Sequence, residues 1–400
     1  MTKRFYIAFL LLALCTFTVV QAQKNEFNPV YTGVTSLSIA PDARAGGLGD
    51  IGCATNPDVN SQYWNPAKYP FNISRAGLSF SYTPWLRRLT NDIDLVNVAG
   101  FYRIGEYSAL SSSLTYFSLG DVTADSYTIR PYELAFDVAG SLMLSEHFSA
   151  AVALRFIYSD LQYDYAEDVS PGKAFGADIA FYYNNYLMLG SRECQLGLGL
   201  NASNIGSKIS YDGGNTNEFI PTNLRLGASL LVPIDDYNTI QFSADANKLM
   251  VPTRPTLSQY ADEMKSKYPT SDTDWSTDYS GYSSWLETSG YNDVSSIAGI
   301  FKSFSDAPGG FKEELREIQW SVGLEYCYHN QFSIRGGYHY EDEYKGNRKY
   351  YSVGAGFKMN IFSLDAAYLI SAAQNNPLDQ TLRFSLSFDM DGIKDLFGRK

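Results

Sequence analysis

Three histidines, His147, His329 and His339, are the residues best suited to moving protons near neutral pH. His339 has Glu341 two positions on, so in an extended chain both side chains leave the same face, as a general base with an orienting carboxylate requires. His147 and His329 fall at expected turns, and no histidine belongs to an HExxH run. No G-x-S-x-G elbow occurs. The AGGLGD run (45–50) resembles a phosphate loop, but no Lys-Ser/Thr follows it and no βα unit surrounds it; it reads as a turn. Beyond the leader, Cys53, Cys194 and Cys327 lie 141 and 133 residues apart, which matches no zinc motif, and an odd count is no disulfide framework. They are expected to be buried, inert thiols. The expectation is therefore no catalytic residue, no metal, no cofactor and no enzyme.

A second set of residues is charged and regularly placed. Asp137, Asp178, Asp245, Glu325 and Asp365, with Arg155, Arg225, Arg335, Lys358 and Arg383, occupy the polar face of alternating segments. Five acids match five bases. Unpaired buried charge is costly, so such a set implies ion pairs among themselves or with Asp42, Arg44 and Asp50 upstream. Two readings are open, a polar ligand site or a network that cements one part of the chain to another.

What positions these charges is a series of strands. Alternation marks 14 of them: 75–82, 95–104, 107–118, 132–144, 147–160, 175–188, 194–203, 222–232, 239–248, 318–328, 331–342, 349–360, 361–371 and 380–390. In the last, Leu382, Phe384, Leu386 and Phe388 oppose Arg383, Ser385, Ser387 and Asp389, giving one apolar and one polar face. Short links, such as Gly105-Glu106, Ser145-Glu146 and His329-Asn330, alternate with long ones at 83–94, 119–131, 161–174, 204–221, 249–317, 343–348 and 372–379. A transmembrane barrel has tight periplasmic turns and long outer loops, whereas a Greek-key sandwich has no reason to keep that order. No stretch of ~18 apolar residues follows the leader, so no helix is expected to span. Tyr132, Tyr158, Tyr328, Tyr340, Tyr351 and Tyr368 near strand ends suit aromatic girdles, although aromatics favour strands in any case.

Ahead of the strands lies PDARAGGLGDIGCATNPDVNSQYWNPAKYP (41–70), where Gly46, Gly47, Gly49 and Gly52 allow close backbone approach while Pro41, Pro57 and Pro66 stop helix and strand. It reads as a plug that enters the lumen from the periplasmic side. Lys3-Arg4, an apolar core from Phe5 to Val20, and Val20-Gln21-Ala22 read as a secretory signal peptide. Leu14 before Cys15 argues against a lipoprotein. The expected organisation is a signal peptide (1–22), an N-terminal extension and plug (23–74) and a barrel (75–400) containing the long outer loop 249–317. Without 1–22 the net charge is about −14, a surface that repels nucleic acid.

Ser61 to Ala67 (SQYWNPA), following a Gly-rich segment, is similar to the hatch of the long-chain fatty-acid porin (FadL-like) superfamily. The longer string 41–70, continued by AGLSFSYTPWLRRLTNDIDL (76–95), resembles the PorV family, also called LptO, outer-membrane shuttle components of the type IX secretion system. The resemblance implies an outer-membrane protein that takes secreted cargo by its C-terminal signal domain from the translocon barrel to a sortase-like surface complex, among lipopolysaccharide and outer-membrane lipid. The plug would hold Arg44, Gly46, Gly47, Gly49, Asp50, Trp64, Asn65 and Pro66. Alternatives are a transporter of hydrophobic molecules and a lipopolysaccharide O-deacylation factor.

For docking, the long loop carries the richest composition. Leu257, Tyr260, Met264 and Tyr268 predict one helix, and Val294, Ile297, Phe301 and Phe304, after a cap at Asp293, a second. Between them Trp275, Tyr279, Tyr282, Trp285 and Tyr291 alternate with small polar residues, a mixture that suits either a protein-binding surface or packing of the loop's own helices. In the first loop, Trp85 beside Arg87 and Arg88 suits lipopolysaccharide phosphates or a partner protein.

Overall fold

The computed structural model describes residues 26–124, 127–162, 169–214, 217–372 and 378–390. The expected signal peptide, 1–22, lies outside the described residues. Sixteen strands follow in chain order: β1 (Ala76–Pro84), β2 (Ile93–Ile104), β3 (Ser108–Leu119), β4 (Val122–Ala124), β5 (Tyr127–Ile129), β6 (Tyr132–Ser145), β7 (Phe148–Asp160) and β8 (Gly172–Leu189). The second half holds β9 (Arg192–Gly206), β10 (Asn223–Pro233), β11 (Asn238–Leu249), β12 (Gln319–Tyr328), β13 (Phe332–Tyr340), β14 (Tyr350–Lys358), β15 (Phe362–Ser371) and β16 (Leu382–Asp389). Fourteen of them form one closed antiparallel barrel of sequential neighbours, sealed by β1 against β16; β4 and β5 make a separate hairpin in the second outer loop. That hairpin falls inside a link the sequence left without strands.

Closure follows from the side-chain period. In β7, Val152 and Leu154 are exposed to lipid while Ala151, Ala153 and Arg155 are buried in the lumen. Phe242 and Ala244 on β11 face out, and Gln241, Ser243 and Asp245 face in. Each strand thus satisfies its backbone in the ladder and, away from its ends, offers hydrocarbon a mainly apolar face. The tight turns lie at one end. The turn between β12 and β13 places His329 and Asn330 both at φ 55, the left-handed pair that suits the twist of a hairpin. Around the other rim, Tyr116, Tyr132 and Tyr158 stack in a row of cross-strand neighbours, part of an aromatic belt. No helix among the described residues is long and apolar enough to cross a membrane.

The N-terminal segment takes a longer path than its composition predicts. Asn28 N–H donates to Tyr344 O and Gly33 N–H to Phe219 O, both in long outer loops. Ser36 N–H reaches Glu133, then Ala43 N–H reaches Ser385, and at the far end Arg103 donates to Asn72 O beside the first tight turn. Residues 26–75 therefore run the full length of the lumen with their beginning at the outer rim, rather than entering as a stopper from the periplasmic end. An apolar cluster of Val34, Ile157, Ala174, Ile209 and Ile220 holds that beginning in place.

The long loop holds four short helices, Leu257–Lys267, Tyr279–Thr288, Ser296–Lys302 and Phe311–Arg316. The first is closed by a Thr256/Gln259 capping box. The second replaces the irregular aromatic stretch expected there, because Asp278 caps it and Tyr260 anchors it. Ser295, not Asp293, caps the third.

Candidate functional site

Two places concentrate polar and aromatic chemistry: the plugged lumen and the outer rim above it. In the lumen, Asp42 caps the short helix Ala43–Gly46 through Ala45 N–H and accepts the Trp64 indole N–H at 2.5 Å. Asn65 caps the turn Pro66–Phe71 and donates to Cys53 O and to Phe181 O on the wall. Asp50 receives both Tyr350 and Arg383. Arg44 pairs with Asp58 at 2.7 Å and with Glu325 at 3.1 Å.

The wall charges meet in clusters. Arg155 reaches Asp137 at 3.3 Å and Asp178 at 3.0 Å, and Asp137 also accepts from Gln62 of the plug. Arg335 joins Glu325 at 2.5 Å and Asp365 at 2.6 Å. Asp245 takes no cation within ion-pair distance among the described residues; it accepts the backbone N–H groups of Gly52 and Cys53, both at 3.0 Å. Arg225 lies over the rings of Trp64 and Tyr63, at 4.6 and 5.3 Å, and donates to Asn247. Lys358 stands apart, exposed at the tight-turn end, with no ion pair among the described residues. Of the two readings of these charges, this arrangement favours the cement.

The plug backbone lies directly on the wall. A Cβ built on Gly47 would come within 2.9 Å of Gly354 Cα, and one on Gly337 would overlap Leu48 and Gly49. Cβ atoms at Gly199 and Gly227 would meet Cys53. Glycines on the inward positions of β9, β10, β13 and β14 therefore make the bed in which 47–54 rests. A half-open cavity of about 660 Å³, lined by Arg44, Asp58, Glu325, Arg335 and Asp365 among others, enters the lumen from the tight-turn end. Past the plug the void narrows to about 70 Å³, lined by Ser36, Asp137, Asn204, Arg225, Asn247 and His339 among others. That is room for only a few waters. His339 is occupied, bonded to Ser321 at 2.9 Å and stacked on Tyr350, while Glu341 is held by Arg348 and Gln319.

At the outer rim a half-open cleft of about 300 Å³ lies between the N-terminal segment, the loop after β9 and the long loop. Tyr31, Phe219, Tyr291 and Leu286 give it apolar walls. Arg254, stacked at 5.3 Å on Tyr31, lines it without a carboxylate in ion-pair distance among the described residues. The predicted docking aromatics divide here. Trp275, Tyr282 and Trp285 pack around Tyr260 with centroids 5.6 to 6.3 Å apart. Tyr291 faces the cleft and Tyr279 is 69% exposed. In the first loop Trp85 packs inward, Arg87 pairs with Asp94 at 2.6 Å and Arg88 with Asp379 at 2.8 Å. These arginines are engaged within the chain.

The sequence profile of the type IX secretion system protein PorV matches residues 21–256. The chain belongs to the PorV family. Its plugged 14-stranded barrel is similar to the Ralstonia pickettii toluene transporter TbuX, at 11% identity and TM-score 0.48 over 89% of this chain and 99% of that one. A Pseudomonas aeruginosa FadL homologue aligns at 13% identity and TM-score 0.42 over 90% and 99%. No curated protein matches the chain. As a PorV-family barrel, the protein is placed in the bacterial outer membrane and associated with type IX secretion.

In this PorV-family barrel the cleft residues Tyr31, Phe219 and Arg254 escaped sequence reasoning, since they stand in irregular segments without a period. The wall glycines carried a signal, because they fall on the inward parity of otherwise alternating strands.

One outer-loop acid gives a pH-dependent expectation. Burial pushes Asp306 up to about 6, with Glu314 and Glu317 adding to the shift and the donors Thr253 N–H and Oγ opposing it. A carboxyl raised above 3.8 binds its proton more tightly in the folded loop, so folding of this region is favoured at low pH and weakens as pH rises through about 6. Hydrogen exchange of 296–317, corrected for intrinsic rates, should show more protection at pH 5 than at pH 7.5. Asp306→Asn should abolish the difference; an unchanged difference would assign it to another group.

Proposed function

We propose that this chain binds the C-terminal signal domain of secreted proteins at its outer rim and carries them through the plane of the membrane, from the translocon to the surface attachment complex. The observation that supports this reading most is the pairing of a plugged lumen with an open, aromatic-walled outer cleft holding Arg254, a cation stacked on Tyr31 with no carboxylate in ion-pair distance among the described residues. A protein of this shape acts by what docks on it, not by what passes through it. Membership in a secretion family supplies the class of partner. In this reading the chain is a carrier and not an enzyme, and lateral diffusion of the barrel does the transport. Passage of hydrophobic molecules would need a roomy apolar chamber beside Trp64, and the void there is only about 70 Å³ and is bordered by Asp, Asn, Ser and Arg as well as by Leu37, Ile39 and Leu249. Deacylation would need a free base, and His339 is already bonded and stacked.

The test is capture of the protein by a tagged C-terminal signal domain. Arg254→Ala combined with Tyr291→Ala should lower recovery about 10-fold or more, the scale of losing hot-spot contacts, while the barrel keeps its heat-modifiable mobility. Undiminished recovery would reject the cleft as the docking site.

A further inference from the structure

The second half of the long loop does not only rise above the barrel; it also covers the outward side of the rim. Lys248 shows this. On β11 it follows Phe242, Ala244 and Ala246 on the lipid-facing parity, and its partner across the ladder is Leu224, also on that side. Yet Lys248 is only 8% exposed. Glu314 and Glu317 cover it at 3.0 and 2.5 Å, and the Phe304 ring lies 5.7 Å from its ammonium. Lys345 ties the same segment to the next outer loop through Glu313 at 2.6 Å and Glu317 at 3.1 Å. Residues 304–317 thus clasp the outward side of the rim at β11, just before the exposed Trp320 and Val322 of β12, while helix Ser296–Lys302 lies against Pro252, Phe219 and the end of β9.

The clasp sorts its residues by chemistry. In Ser296–Lys302, Gly299 faces inward on Pro252 and Phe219, which turns Ile297 and Phe301 to the opposite side with Phe304 beyond them. Phe311 and Leu315, one turn apart, do the same on Phe311–Arg316. These five are 47 to 78% exposed. All the acids of the second helix and its C-cap turn in toward lysines, whereas Lys302 and Lys312 stay exposed. In a chain with net charge −12, an outward face carrying apolar side chains and only basic charge is the pattern of a helix lying on an anionic lipid surface.

We infer that the clasp 296–317 is an interfacial foot, with Phe301, Phe304, Phe311 and Leu315 immersed among the lipids of the outer leaflet and Lys302 and Lys312 reaching headgroup phosphates. Its apolar face is continuous with the lipid-facing wall through Trp320 and Val322, so the same bilayer is its occupant. The foot adds roughly a helix width, about 10 Å, to the apolar band along the rim from β9 to β12. It also fixes the height of the remaining outer loops above the membrane.

The test places a nitroxide on Phe301→Cys or Phe311→Cys in a Cys327→Ser background. The native Cys53 and Cys194 are buried. The labelled protein is reconstituted in nanodiscs of phosphatidylethanolamine and phosphatidylglycerol. Val322→Cys is the lipid reference and Tyr279→Cys the water reference. Collisions with oxygen should exceed those with a water-soluble nickel chelate at both foot positions, as at Val322→Cys. Nickel collisions as frequent as at Tyr279→Cys would overturn the inference. Shielding from both reagents would also overturn it, by showing that protein covers the foot.

Discussion

Gly337→Val should unseat the plug while leaving the barrel closed. The valine side chain would project into the backbone between Leu48 and Gly49, which cannot rotate aside as a side chain would. Overpacking of a core costs about 1–3 kcal/mol, and here relief is available by withdrawing 47–54 from its bed. The reporter is Cys53, fully buried and with its thiol pushed far up by burial, hence inert in the parent. With Cys194 and Cys327 replaced by Ser, a maleimide should label Cys53 in the Gly337→Val variant and leave the parent unlabelled. Ion conductance in planar bilayers should rise alongside. A variant that stays unlabelled and closed would mean that the wall yields instead of the plug.

Arg155→Met should cost the most of any single lumen substitution. It leaves Asp137 and Asp178 buried, facing each other with no cation between them, and removing one partner of a buried ion pair costs about 3–5 kcal/mol. Urea unfolding in detergent, scored by heat-modifiable mobility, should show that loss. Neutralising the two acids as well, by Asp137→Asn and Asp178→Asn in the same chain, should recover most of it. A loss under about 1 kcal/mol for the single variant would place the pair among weak, solvent-screened bridges.

The barrel was legible because lipid and lumen sit on opposite sides of every strand, so a two-residue period runs through all fourteen. The inward charges were legible for the same reason, as deviations in sign on one face. Their partners were less so. Arg88 meets Asp379 across the barrel seam, 291 positions away, and no local pattern announces that pair. Helix Tyr279–Thr288 was hidden because YSGYSSWLET has little helix propensity; the Asp278 cap and the packing of Tyr282 and Trp285 on Tyr260 create it. The course of residues 26–40 was hidden too, since an irregular strand-free segment takes its direction from what it touches. The glycine bed needed only attention to parity, where a missing side chain on the inner face is as informative as a charge.

The filled lumen also bears on the cell as a whole. An outer membrane is a permeability barrier, and an empty barrel of this girth would let small solutes and antibiotics leak through each copy. With glycine laid against glycine and a void of only about 70 Å³ past the plug, each molecule is expected to pass little current or solute. Abundance is then free to follow the traffic at the surface, because adding copies opens no holes.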